Sequence, residues 1–270
     1  MISRVALRWF LAASFLVASM ASAGIAGAEE VWLTDYSAAV KKATEEKKML
    51  LVYFSDGAVS ADVEASWTAD SRVAATIPNY VLLKTPTTGE VSTAQGAIKL
   101  LSHPAFAEMQ GSAGFAVIDY RSEGTAHYGQ VVTVYPFRVA GVATANHLQW
   151  ILTLPAGTLT QRTLILAVRL HPEAPASTNG EFDPALASEA ESHAQHQASI
   201  RLQGHHSWET RFHRINNLLS RRRGGAWSSV EVCAESWPGQ GLFESAVECV
   251  RCWRLSSGHW NAVRSGQATY

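Results

Sequence analysis

Apolar residues in the first half of the chain form short continuous runs that alternate with stretches of helical spacing. Helical spacing is found in three stretches, residues 36–48, 59–77 and 145–154. Continuous apolar runs suited to buried strands are found in four, residues 49–54, 80–84, 115–120 and 130–134. Because helices and buried strands alternate, the pattern predicts an α/β layered domain.

The second half has a different pattern. Residues 155–157, Pro-Ala-Gly, are predicted to be a linker, and residues 172–184 have the composition of a loop. Asp183 and Pro184 are typical of a helix start, an N-cap followed by proline at the first helical position, and this helix is expected to end near Leu202, before Gly204. Two apolar seams at helical spacing follow, Trp208, Phe212, Ile215 and Leu219, then Phe243, Val247, Val250 and Trp253.

The first 28 residues have the pattern of an export signal. Arg4 and Arg8 precede an apolar run over residues 9–20, which is shorter than a comfortable membrane span. Small-x-small sites predict cleavage after Ala23 or Ala28. An uncleaved anchor is the alternative, but no long apolar continuation follows. We therefore expect a secreted or periplasmic protein whose mature chain has no transmembrane span.

Composition narrows the class of protein. The 270 residues are 47% hydrophobic and 17% charged, with a formal net charge of −1. This balance is typical of a globular chain with one large or two modest domains. The near-zero charge gives no support for nucleic-acid binding, and the basic cluster over residues 221–223 is interpreted as a solvated helix end.

Three cysteines, Cys233, Cys249 and Cys252, all lie in the last forty residues. An odd count leaves at least one thiol unpaired within the chain. Cys249-x-x-Cys252 has redox spacing, but it lies within a helical pattern and not at a helix N-terminus, where the thiol pKa would be lowered. A structural disulfide from Cys233 to Cys249 or Cys252 is favoured over redox catalysis, and buried free thiols are the alternative.

Residues 29–154 resemble the exported thioredoxin-like fold. The resemblance rests on Val31-Trp32 before the first helix, on the run Leu-Leu-Val-Tyr-Phe at 50–54 and on Gly-Phe-Ala-Val-Ile-Asp at 114–119. Active members carry Cys-x-x-Cys after the central strand, whereas residues 55–60 here read Ser-Asp-Gly-Ala-Val-Ser. The loop before the later strand also lacks the family's proline. Because thiol–disulfide exchange needs a sulfur nucleophile, the resemblance implies a scaffold or binding domain.

Residues 158–270 resemble a CAP domain, the family of cysteine-rich secretory proteins, antigen 5 and pathogenesis-related-1 proteins. Three segments carry this resemblance in the expected order: a helix over 189–198 followed by Gly-His-His-Ser-Trp at 204–208, Ala-Glu-Ser at 234–236, and Trp-x-x-Ser-x-Gly-His at 253–259. The resemblance implies an α-β-α sandwich that ends early for the family, because only residues 261–270 follow the Gly-His segment.

The CAP resemblance also implies a cleft. Its two histidines and two glutamates map onto His205, Glu235 and His259, while Ser256 stands where the second glutamate would be. His205 is preferred over the adjacent His206 for the cleft position. Two imidazoles can bind a divalent metal, so a tentative zinc site is expected at His205 and His259. His193 and His196 are interpreted as ordinary helix-face residues.

Two functions remain open from the sequence. The main hypothesis is non-enzymatic binding of a small apolar or cell-envelope ligand in the His/Glu cleft, with or without a divalent metal. The alternative is a metal- or serine-dependent hydrolase that uses the same cleft. Serines lie near the proposed histidines, but no G-x-S-x-G nucleophile pattern supports a triad.

Overall fold

The computed structural model describes residues 32–93, 96–171, 183–202, 204–223 and 242–244. The predicted export signal over residues 1–28 lies outside these ranges. So do six residues of the predicted C-terminal sites: Cys233, Glu235, Cys249, Cys252, Ser256 and His259. Their predicted roles therefore stay predictions.

Four strands form the central mixed sheet, and a separate two-stranded hairpin follows the second of them. In chain order the six strands are β1 (Met49–Ser55), β2 (Tyr80–Pro86), β3 (Glu90–Thr93), β4 (Gly96–Lys99), β5 (Gly114–Asp119) and β6 (Val131–Pro136). The sheet order is β2-β1-β5-β6, with β1 parallel to β2 and β5 antiparallel to both of its neighbours. Leu33 adds an isolated parallel bridge to Leu83 at the outer side of β2.

Helices connect and cover these strands. The eight α-helices of the described chain are α1 (Tyr36–Glu46), α2 (Ala61–Ala69), α3 (Ser71–Thr76), α4 (Phe137–Ala140), α5 (Ala145–Leu152), α6 (Leu159–Arg169), α7 (Pro184–Ile200) and α8 (Trp208–Arg223). Short 3-10 helices span Ile77–Asn79, Leu100–Ser102 and Pro104–Met109. The predicted α/β class is confirmed at this level. None of the helices in the described part of the chain is long and apolar enough to cross a membrane.

The stretch predicted as one helix over 59–77 is two helices. Asp70 interrupts it with an extended backbone, φ −69° and ψ 122°, and its carboxylate accepts the Arg72 backbone N–H to cap α3. Ser60 caps α2 in the same way through the Val63 N–H. An internal Asp followed by Ser therefore ends one helix and starts the next, because both residues favour N-cap positions over helix interiors.

Helix α6 belongs to the sheet domain. Its Ile165 and Leu166 are part of the core that the four central strands build, and its Arg162 lies fully buried beside β6. Residues 155–157 therefore connect α5 to another helix packed on the same sheet. This differs from the sequence prediction that 155–157 separates two domains, because the apolar face of α6 is satisfied by this sheet.

Helices α7 and α8 form a helical hairpin with a small apolar core of their own. Leu186 of α7 packs against Ile215 and Leu219 of α8, with Trp208 partly buried beside them. Asp183 caps α7 as predicted, accepting the N–H groups of Ala185 and Leu186, and Pro184 occupies the first helical position. The predicted seam of α8 is confirmed at Ile215 and Leu219.

Candidate functional site

One row of side chains crosses the central sheet from edge to edge. The strand register places Lys84 of β2 beside Tyr53 of β1, Tyr53 beside Phe115 of β5, and Phe115 beside Tyr135 of β6. Directly paired residues share a face of the sheet. We call Tyr53, Phe115 and Tyr135 the aromatic row. All three rings are fully buried, and the Tyr53 and Phe115 ring centroids are 5.2 Å apart.

A polar triad ends the aromatic row at the β2 side. The Tyr53 hydroxyl donates to Glu64 Oε1 at 2.9 Å, and Lys84 Nζ lies 2.5 Å from Glu64 Oε2. The same ammonium lies 5.4 Å from the centre of the Tyr53 ring, within cation–π range. Glu64 is in the first turn of α2, and Lys84 is near the carboxyl end of β2. The carboxylate thus holds both a phenol and an ammonium.

A tyrosine–histidine pair ends the aromatic row at the β6 side. The Tyr135 hydroxyl lies 2.7 Å from His147 Nδ1, and the Thr144 backbone N–H also points at that nitrogen. Burial raises the pKa of Tyr135 and lowers the pKa of His147. The phenol is therefore protonated and the imidazole neutral at pH 7. With two donors directed at Nδ1, the imidazole proton is placed on Nε2.

Trp67 of α2 and Phe137 cover the aromatic row. The Trp67 ring meets Tyr53 and Phe115 edge-on, at centroid distances of 5.2 and 5.0 Å, and its indole N–H donates to the Ala143 carbonyl at 2.7 Å. Phe137 lies 5.6 Å from Phe115 and 6.1 Å from Tyr135. The rings of the row are therefore a packed interior, and the polar groups at its two ends, Glu64 with Lys84 and His147, are partly exposed.

Titration of the row does not favour proton-transfer chemistry at neutral pH. Burial raises the pKa of Tyr53 to about 12, with a smaller contribution from the neighbouring Glu64 carboxylate. A general acid or base is most effective when its pKa lies near the working pH. Tyr53 and Tyr135 are moved away from that range, so they act as hydrogen-bond donors that fix the geometry.

The turn between β1 and α2 is the position where a thioredoxin-like domain would carry its reactive thiols. Here Asp56 accepts the Ala58 N–H, Gly57 adopts a φ of +78°, and Ser60 caps the helix. Asp62 and Glu64 lie in the first turn of α2, where they oppose binding of a further anion at this helix end. The turn supplies hydroxyl and carboxylate oxygens without a sulfur nucleophile.

The first residue of β5, Gly114, lies very close to β6. Its φ is +143°, and a Cβ at this position would lie 2.1 Å from the Tyr135 carbonyl oxygen. Only glycine fits there. There is no cis peptide bond anywhere in the described ranges, in line with the absence of proline from residues 111–114.

A second buried polar group lies at the opposite end of the strands. Arg162 Nε donates to Thr133 Oγ1 at 2.6 Å, and its Nη1 donates to the carbonyls of Leu154 and Pro155 at 3.1 and 2.7 Å. Asp119 accepts the Arg121 and Ser122 N–H groups through Oδ1, and its Oδ2 lies 3.5 Å from His127 Nε2. These contacts fix the α5–α6 connection and the turn after β5.

Of the three predicted cleft residues, the structure places His205, which is exposed in the turn between α7 and α8. The next residue, His206, is partly buried, and its Nε2 has no hydrogen-bond partner within the described ranges. His193 is buried, and its Nε2 lies 3.0 Å from the Gly204 carbonyl, so this residue anchors the turn to α7. Glu235, Ser256 and His259 lie outside the described residues, as do the three cysteines.

Metal binding at His205 and His259 stays a prediction for the same reason. Within the described ranges no group of three or more His, Cys, Asp or Glu side chains is arranged to hold a metal ion. His193 and His196 both lie on α7, with ring centroids 6.5 Å apart.

Sequence reasoning did not find the Glu64–Lys84 pair or His147. Lys84 is a charged residue inside an apolar strand run, Leu-Leu-Lys-Thr. This pattern indicates that the lysine has an acidic partner, because a lysine is rarely buried without one. Its partner depends on which strand neighbours which, and that information is not in the local pattern. His147 is part of a helix-start capping box with Thr144, which is a local signal.

The site is interpreted from its own geometry, because comparison of the chain with known proteins gave no match. No protein-family model, no curated protein and no solved structure matches this chain.

Proposed function

We propose that this chain is an exported binding protein whose sheet domain is a thioredoxin-like scaffold without thiol–disulfide activity. The sheet order β2-β1-β5-β6, with one parallel pair joined through helices and two antiparallel strands following, supports the thioredoxin-like assignment. The export part of the proposal rests on the signal pattern in the first 28 residues.

The observation that best supports a binding role is the set of side chains at the β1–α2 end of the sheet. Ligands of open α/β sheets bind outside the carboxyl ends of the parallel strands. At this end the chain has a serine-rich turn and a Lys84 ammonium already paired with Glu64, in place of a nucleophile. Tyr53, with a pKa of about 12, adds no acid–base group there. Recognition therefore fits the geometry better than catalysis.

The CAP resemblance supplies the second part of this proposal. Residues after α6 form a CAP-type cleft in which His205, Glu235 and His259 contact a small apolar or cell-envelope ligand, with Ser256 in place of a second acid. A divalent metal, zinc first, is the candidate cofactor at His205 and His259. In support of this, His205 lies at an exposed position of the α7–α8 turn.

Insulin reduction tests the redox side of the proposal. Purified mature protein with dithiothreitol is expected to give the same rate of insulin precipitation as dithiothreitol alone. The matched control is the Cys249→Ser/Cys252→Ser variant. A rate above background that disappears in this variant would establish thiol–disulfide activity and contradict the proposal.

A separate experiment tests the cleft. A fluorescent sterol and a fluorescent fatty acid are titrated into wild type, His205→Ala, Glu235→Gln and His259→Ala, with His213→Ala on the exposed side of α8 as the control. Saturable binding that weakens at least tenfold in the three cleft variants supports the proposal. The hydrolase alternative would be established by a different result. Wild type would show peptidase or esterase turnover and stoichiometric zinc, and the His205→Ala/His259→Ala double variant would lose both.

A further inference from the structure

A short segment near the C-terminal end of the described chain docks on the sheet domain. Phe243 is fully buried, and its ring centroid lies 5.8 Å from that of Tyr135 at an interplanar angle of 68°. The Leu242 backbone N–H donates to Glu108 Oε2 at 2.6 Å. The sequence predicts Phe243 to be in a seam of the C-terminal domain, whereas the structure places it in the core of the sheet domain.

The two residues that contact the docked segment, Tyr135 and Glu108, both belong to the sheet domain. We call these two residues the walls of the seat. Tyr135 belongs to β6, which ends the four-stranded sheet, and Glu108 belongs to the 3-10 helix Pro104–Met109. Tyr135 is also held by its pairing with Phe115 and by its 2.7 Å contact with His147 Nδ1.

These two walls have the chemistry of a peptide-recognition site. An apolar wall receives one aromatic side chain, and a carboxylate receives the backbone N–H of the preceding residue. Such sites use main-chain hydrogen bonds for alignment and side-chain pockets for specificity. Aromatic anchors in desolvated pockets dominate the affinity of interfaces.

We propose that this seat is a binding site for short peptides in which an aromatic residue follows a residue whose backbone amine or amide is free to donate. The segment Leu242–Glu244 of the same chain occupies this seat. The carboxylate of Glu108 favours a positive donor over a neutral one, because an ammonium group adds the attraction of opposite charges to the hydrogen bond. A peptide with a free N-terminal amine at the Leu242 position is therefore the better ligand. The resident segment blocks the seat because its tether gives it a high effective concentration.

Peptide binding to full-length mature protein tests this inference. The probe is Leu-Phe-Glu-Ser, the sequence of residues 242–245, with fluorescein on its C-terminus, in free-amine and N-acetylated forms. We expect Phe243→Ala to bind the free-amine probe saturably, at least tenfold more tightly than wild type does. The acetylated probe should bind more weakly, and a probe with alanine in place of phenylalanine should not bind. Phe212→Ala, a partly buried ring in α8, should behave as wild type.

A second pair of variants separates a binding site from an ordinary core contact. Glu108→Gln in the Phe243→Ala background should weaken the free-amine probe at least threefold and remove its advantage over the acetylated form. Leu242→Pro removes the N–H that donates to Glu108 while it keeps the aromatic side chain, so it weakens the resident segment and should bind the free-amine probe more tightly than wild type does, though less tightly than Phe243→Ala. Folded Phe243→Ala protein that binds no probe would overturn the proposal. Binding that is unchanged by Glu108→Gln would overturn it as well.

Discussion

The sheet domain, residues 32–171, and the α7–α8 hairpin, residues 183–223, are both made of regular elements, but they differ in what holds them together. In the sheet domain every residue of β5 and β6 is buried, and the aromatic row lies in a continuous core. In the hairpin the core is Leu186, Ile215 and Leu219. Ile200 and Leu202, near the end of α7, are 44% and 57% exposed. Apolar stabilisation follows the area removed from water, so most of it is in the sheet domain.

In the hairpin, helix caps and an ion pair add to the small apolar core. Helix α7 has an N-cap at Asp183 and ends with Arg201 in the left-handed conformation, φ 53°, where its N–H reaches the Ala198 and Gln197 carbonyls. Glu189 and Arg214 join α7 to α8 as an ion pair. Caps contribute about 1 kcal/mol each and exposed ion pairs less. The comparison teaches that a helix can be well specified by its sequence while its packing contributes little.

Removing Trp67 should give the largest loss of stability. The Trp67→Ala substitution opens a cavity beneath Tyr53 and Phe115 and leaves the Ala143 carbonyl without its donor. We expect the free energy of unfolding to fall by about 3–5 kcal/mol, measured by guanidinium denaturation. Trp67→Phe, which keeps a ring in place, should lose clearly less. Equal losses in the two variants would contradict the role of packing in this core.

Replacing Arg162 should have the next largest effect. A methionine fills similar space, and replacement of buried charges by apolar residues is often neutral. Here Arg162→Met also leaves Thr133 Oγ1 and the Leu154 and Pro155 carbonyls without their donor, and that cost dominates. We expect a loss of about 2–3 kcal/mol in the same assay. Arg169→Met, at a partly exposed guanidinium with two similar contacts, is the matched control and should lose about 1 kcal/mol.

The hairpin should respond locally. Ile215→Ala removes one of the three side chains that form its apolar cluster, and a loss of about 2 kcal/mol is expected, at the low end for such truncations because the cluster is small. Hydrogen exchange followed by mass spectrometry should become faster over 183–223 and stay unchanged over 32–171. Asn217→Ala, at an exposed position of α8, is the control. Faster exchange throughout the sheet domain would show that the two regions unfold as one unit.

Much of the sheet domain could be predicted from its sequence, because buried strands and helix starts carry local signals. The run at 49–54 became β1, and Asp183-Pro184 became the start of α7. Helix α6 was missed because its face carries Arg162, a residue that local patterns assign to solvent. The guanidinium is buried only because Thr133 and two carbonyls, supplied by β6 and the turn before the helix, meet it there.

The candidate site was less accessible to prediction than the fold. The aromatic row depends on which residues face each other across four strands, and Tyr53, Phe115 and Tyr135 are far apart in the chain. The docking of Phe243 on Tyr135 joins positions more than a hundred residues apart. Helical spacing around Phe243 indicates an apolar face, but it does not say which surface that face meets. The CAP cleft remains a prediction, since of its three residues the structure describes His205 alone.

Alkaline pH offers the mildest test of the comparison, because the phenols affected lie in one region. All tyrosines of the described chain are in the sheet domain, and burial raises the pKa of Tyr53 and of Tyr120 to about 12. In the unfolded chain a tyrosine titrates near pH 10. The folded state therefore resists ionisation, so this contribution to stability is complete below pH 10 and is lost as the pH rises through about 12. Urea unfolding midpoints should therefore stay level up to about pH 10 and fall between about pH 10 and pH 12, and Tyr53→Phe should show a shallower fall. Methyl resonances of Ile215 and Leu219 should keep their positions over the same range, since the hairpin has no phenol to titrate. Loss of these resonances at the pH where the sheet domain unfolds would mean that the hairpin depends on that domain.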